Sequence, residues 1–150
     1  MYCAKQDILK RMTEAELIRA TANGNSNQTA VDDDVLGEAI QRADDDINTA
    51  LGGRYTVPFA APVPVAVKNL SVTLTVFYLK VYRYENDETL PEGLKLMKQS
   101  ADKKLADIAK GTSVLIDIAD GTPDAMEQTA AIRTGAMTRS AFTDKRLGTY

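Results

Sequence analysis

Two runs of three aspartates, "DDD" at 32–34 and again at 44–46 within "ADDDINTALGGRY", are the residues whose type and spacing raise the question of chemistry. Clustered carboxylates serve two chemistries: holding a hard divalent cation, and acid–base catalysis by a pair whose proton affinities are pushed apart. Either one requires oxygens that converge on a point. Wound on a helix at about 100° per residue, the second triplet diverges instead. Ile40, Ala43 and Ile47 mark an apolar stripe; Asp45 falls opposite it, and Asp44 and Asp46 flank it at roughly 80° to either side. The spacing predicts a solvated face rather than a metal site, and a triple replacement by asparagine is expected to leave the fold intact. The first triplet reads as a helix start, with Asp32 or Asp33 as the N-cap and the remaining carboxylates favoured by the positive end of the helix dipole. The two runs lie about two to four helical turns apart, which disfavours a catalytic pair drawn from both.

The other candidates are weaker. The chain contains no histidine, which removes the commonest general base, the usual transition-metal ligand and every imidazole-based triad. Cys3 is the only cysteine, so it forms no internal disulfide and builds no zinc cluster; without a base or a cation beside it, it reads as an inert side chain at the domain edge. "GG" at 52–53 follows a helical pattern and lacks the lysine and hydroxyl of a phosphate-binding loop, so it reads as a helix end, with glycine taking the left-handed cap conformation. Tyr78, Tyr82 and Tyr84 with Arg83 carry the right groups for stacking on bases, but helical spacing distributes them between core and rim. No catalytic constellation emerges from the residues, and an enzyme here would have to run on carboxylates, lysine or tyrosine.

The elements that must position these residues follow from periodicity. The chain has 150 residues, 44% hydrophobic and 26% charged, the composition of a single globular domain with a real core. Its formal net charge of −3 gives no basic footprint for gripping duplex DNA. The N-terminus has no signal-like apolar run and no segment approaches a membrane span, so a soluble, intracellularly made protein is expected.

Ile8, Leu9, Met12, Leu17 and Ile18 predict two short helices meeting near Thr13, where Thr13 and Glu16 have capping-box spacing. "NGNSNQT" (23–29) is a surface loop. Leu36, Ala39, Ile40, Ala43, Ile47, Ala50 and Leu51 predict a third helix. The three prolines of "RYTVPFAAPVP" predict an extended crossing segment pinned by Tyr55 and Phe59.

"VPVAVKNLSVTLTVFYLKVYRYE" has strand-like composition, but its length and the stripe Val67, Leu70, Leu74, Phe77 and Val81 predict a helix buried on several sides, with Pro64 in its first turn. Pro91 opens a last amphipathic helix through Leu94, Met97, Ala101, Leu105, Ile108 and Ala109, stopped by Gly111. The fold class is therefore all-α: a compact bundle of four to five helices over residues 1–111, with residues 112–150 as an extended or partner-ordered C-terminal arm. That arm ends in apolar Phe142, Leu147 and Tyr150.

Taken together, "YCAKQDILKRMTEAELI", "AIQRADDDINTALGGRYTVPF", "PVPVAVKNL", "IAKG" and the closing "RSAFTDKRLGTY" resemble the small head–tail connector (neck) proteins of Mu-like phages and prophages. "LGGRYTVPF" is the most specific of these segments. The resemblance implies an adaptor subunit without enzymatic activity or cofactor, placed at the head–tail interface of the virion after assembly in the host cytoplasm. Its implied partners are the portal protein, neighbouring copies in a homo-oligomeric ring expected to be dodecameric, and a tail-side connector or stopper, with DNA passing through unbound. It points to Arg139, Phe142, Arg146 and Tyr150 as residues docking the arm. It also points to Asp34, Glu38 and Asp45 as an acidic face lining the channel or facing a partner. The rivals are a tail-side completion protein, a small nucleic-acid-binding module and a carboxylate metal-dependent hydrolase.

Overall fold

The computed structural model describes residues 1–22, 27–81 and 90–115, and within them the chain is all-α. Five helices follow in order: α1 (Lys5–Leu9), α2 (Glu14–Thr21), α3 (Asp33–Leu51), α4 (Val65–Val81) and α5 (Glu92–Lys110). The expected break near Thr13 is real. The Thr13 hydroxyl accepts from the Glu16 backbone N–H at 3.3 Å while the Glu16 carboxylate accepts from the Thr13 N–H at 2.9 Å, so two orphan donors are satisfied reciprocally. Asp32 caps α3, accepting from the backbone of Asp34 and Val35. Between them, the buried Thr21 hydroxyl donates to Leu17 O and accepts from Asp32 N–H, which ties the end of α2 to the start of α3.

The valine- and threonine-rich segment is helix α4, and it is the centre of the bundle: α1, α2, α3 and α5 all pack on it. Tertiary burial overrides β-propensity here, because a side chain surrounded on most faces is chosen for apolar volume rather than backbone preference. Its two buried hydroxyls are satisfied locally or in pairs, as with Thr75, which donates to Ser71 O at 2.8 Å. α5 buries Ala101, Leu105 and Ile108 and ends at Gly111, whose φ of 81° is the left-handed cap that glycine adopts without penalty. Leu115, beyond that cap, is also buried in the core.

Two expectations are corrected. Gly52 caps α3 in the right-handed region (φ −60°, ψ −20°), so the helix runs out through successive turns rather than a left-handed stop. The segment after it bends repeatedly, with cis bonds before Pro58 and Pro62, instead of crossing in one extended stroke. Tyr55 is fully buried and Phe59 half-buried, and these two do pin the crossing.

Candidate functional site

Seven carboxylates stand between residues 32 and 46, and the structure sorts them by what each one touches. Asp32 is spent on the cap of α3, and Asp33 pairs with Lys5 at 2.7 Å, which ties α1 to the start of α3. Asp46 accepts the hydroxyl of Tyr78 on α4 and lies 3.9 Å from Lys98 on α5; Lys98 also reaches Asp102. The Arg42 guanidinium covers the Tyr78 ring at 4.4 Å. Burial, then the acceptor Asp46, pushes the Tyr78 hydroxyl well above its ordinary proton affinity and keeps it a donor. This cluster joins α3, α4 and α5 at one height.

Asp44 corrects the sequence reading of the second triplet. It is not on a solvated face: the residue is only 7% exposed. Its Oδ2 accepts from the Tyr2 backbone N–H at 2.8 Å and its Oδ1 from Ser71 Oγ at 2.7 Å, with the Met1 amino group 3.6 Å away. Asp44 therefore binds the N-terminal segment to α3 on one side and α4 to α3 on the other.

Four residues further on, Asn48 accepts from the Tyr2 hydroxyl, and that same hydroxyl accepts the Phe59 N–H at 3.0 Å. One tyrosine thus holds the N-terminal segment, α3 and the crossing segment together. The wheel placed Asp44 about 80° from the apolar stripe correctly, but the buried sector is wider than the stripe. Tyr2 and Cys3 cover that flank, and nothing in the α3 pattern alone announces them. The available signal was Asp44 and Asn48 four apart beside the core positions Ala43 and Ile47, a polar ridge suited to a buried partner.

Cys3 is likewise buried rather than at an edge. Its sulfur lies 3.2 Å from Ser71 Oγ and 3.9 Å from Thr75 Oγ1. Ser71 has one proton, and the carboxylate at 2.7 Å takes it, so the thiol is the donor toward the serine. Desolvation raises the thiol's proton affinity, and the group stays protonated and unreactive.

The remaining three carboxylates, Asp34, Glu38 and Asp45, are exposed and make no ion pair among the described residues. At about 100° per residue they fall within roughly 40° of one another. The structure thus brings the three sequence-predicted residues onto one outward stripe of α3. The triplet's carboxylates face three surroundings, one buried, one half-buried and one exposed, and no group of metal-ligating side chains converges among the described residues. Tyr78 belongs to the core as expected, whereas Tyr82, Arg83 and Tyr84 lie outside the described residues. So do the arm residues Arg139, Phe142, Arg146 and Tyr150.

"LGGRY" also has a structural explanation. The Arg54 guanidinium lies against Gly111, so close that a Cβ there would stand 2.1 Å from one of its nitrogens. A cation at that place complements the C-terminal end of the α5 dipole. Tyr55 next to it is buried, so the motif locks the exit of α3 onto the exit of α5.

The model of the family described as Bacteriophage Mu, Gp36 matches residues 2–134. No curated protein matches the chain.

Proposed function

The chain belongs to the Bacteriophage Mu Gp36 family of phage structural or morphogenesis proteins, and from that premise we propose that it is a head–tail connector subunit. In this reading, copies form a ring beneath the portal protein, which the C-terminal arm contacts through Arg139, Phe142, Arg146 and Tyr150. A tail-side protein joins from the other end, and DNA passes through the ring without being held.

The observation that carries the reading is the family match over nearly the whole chain. The physical features support it. The five helices are fastened to one another by internal bonds, among them those of Asp44 to Tyr2 and Ser71 and of Asp46 to Tyr78. The outward stripe of Asp34, Glu38 and Asp45 on α3 is acidic and repels phosphate. No helix among the described residues is long and apolar enough to cross a membrane.

The test is co-assembly. The purified chain, mixed with assembled portal rings of its own phage, is expected to co-elute with them at several copies per ring, and a chain truncated after Leu115 is expected not to. A full-length chain that never co-elutes with the portal overturns the reading.

A further inference from the structure

We propose that the outer face of α3 in one copy packs beside the outer face of α5 in the next, making a head-to-tail contact between two different surfaces of the same chain. The proposal rests on the ring reading above and names the surfaces that build it.

The α3 face is the stripe of Asp34, Glu38 and Asp45, on the side of the helix opposite buried Ala39, Ala43 and Ile47. α5 carries two lysines at matching places on its outer side. Lys103 and Lys110 are exposed, lack an ion pair among the described residues, and lie within about 20° of each other, opposite buried Ala101, Leu105 and Ile108. Other charges on these helices are engaged inside the subunit: Asp33 by Lys5, and Lys98 by Asp46 and Asp102. On the two stripes the α3 charges are all acidic, while α5 sets Lys103 and Lys110 with half-buried Asp107 between them and Glu92 about three turns before Lys103.

Their spacing agrees as well as their sign. Glu38 and Asp45 are seven residues apart, and so are Lys103 and Lys110, about 10.5 Å along either axis. Asp34 precedes Glu38 by four residues, and exposed Gln99 precedes Lys103 by four. Laid side by side in parallel, the helices pair Glu38 with Lys103 and Asp45 with Lys110, and set the Gln99 amide donors beside Asp34. An antiparallel arrangement keeps two ion pairs but carries Asp34 past Lys110 and loses the third contact. Leu96, 55% exposed on the same side of α5, adds apolar area.

The two surfaces differ, so the contact is heterologous, and repeated copies close into a ring when the rotation between neighbours allows it. Exposed ion pairs are individually weak. Their role is to set register and reject wrong neighbours, with association completed on the portal.

The experiment complements a phage lacking this chain with three variants: Glu38→Lys/Asp45→Lys, Lys103→Glu/Lys110→Glu, and all four changes together. Copies per particle are measured by quantitative mass spectrometry. All four side chains are exposed, so each purified variant is expected to melt with the wild type. Like charges across the contact should cut incorporation of each two-site variant by about tenfold or more. The four-site chain should restore it, as should the two two-site variants supplied together, since they pair with each other in alternation.

Wild-type incorporation of either two-site variant overturns the proposal and turns the acidic stripe toward the channel. A four-site chain no better than the two-site ones overturns it too. Absence of the wild-type chain from particles would instead overturn the connector reading itself.

Discussion

Replacing Asp44 by alanine removes the acceptor of two buried donors at once, the Tyr2 N–H at 2.8 Å and the Ser71 hydroxyl at 2.7 Å. A hydrogen bond to a charged group contributes about 1.5–3 kcal/mol, and a buried donor left without an acceptor forfeits comparable desolvation energy. Ser71 recovers part of its share by turning its proton toward the Cys3 sulfur at 3.2 Å, whereas the Tyr2 amide has no such freedom. The net loss is then about 3–4 kcal/mol. For a chain of this length it lowers the melting temperature by roughly 6–16 °C.

Asp44→Asn is milder. Its carbonyl keeps the Tyr2 amide and its NH2 donates to Ser71 Oγ, so only the charge assistance is lost, about 1–2 kcal/mol. Asp45→Ala, at an exposed position one residue away, stays within about 0.5 kcal/mol. Thermal melts followed by circular dichroism at neutral pH read all three. The same shift for Asp44→Ala and Asp45→Ala, or less than about 1 kcal/mol for the former, would refute the assignment of Asp44 as the buried tie between the N-terminal segment and α4.

Gly111→Ala forces a side chain into φ 81° and against the Arg54 guanidinium; a loss of at least about 1–2 kcal/mol is expected in chemical unfolding, and a neutral result would contradict the α5 exit geometry. Thr13→Ala dismantles the capping box and should cost about 1 kcal/mol, read from the same unfolding curves. Asp7, held by Lys68 at 2.9 Å, Lys10 at 3.1 Å and the Ala4 amide, has its carboxyl lowered from 3.8 to about 2, chiefly by the bond to Lys68. A depressed carboxyl stabilises above its unfolded value, so this contribution is complete above about pH 4 and is lost as pH falls toward 2. Asp7→Asn should flatten that part of the stability-against-pH curve, and an unchanged acid limb would show that the pair contributes nothing.

What the sequence disclosed and what it concealed divide along one physical line. Features set within a few residues were legible: the Thr13–Glu16 box, the Asp32 cap, the left-handed Gly111 and the amphipathic α5 all follow from local backbone chemistry. Helix α4 was legible despite its strand-like residues because its length and stripe outweighed propensity. The outward place of Asp45 was legible because a position opposite the core needs no knowledge of partners.

Asp44 was not, since its burial depends on Tyr2, forty-two residues away, folding over the flank of α3. Arg54 beside Gly111 is a long-range contact of the same kind. Gly52 shows the limit of local rules in the other direction, because a glycine after a helix permits a left-handed stop without requiring one.

The most direct test of the connector assignment is quantitative mass spectrometry of purified particles, comparing complete virions with separated heads and tails. The account predicts a fixed count of about a dozen copies per virion, retained with heads, as a closed cyclic ring at one vertex requires. The same signal confined to free tails, or absent from every particle fraction, would contradict it.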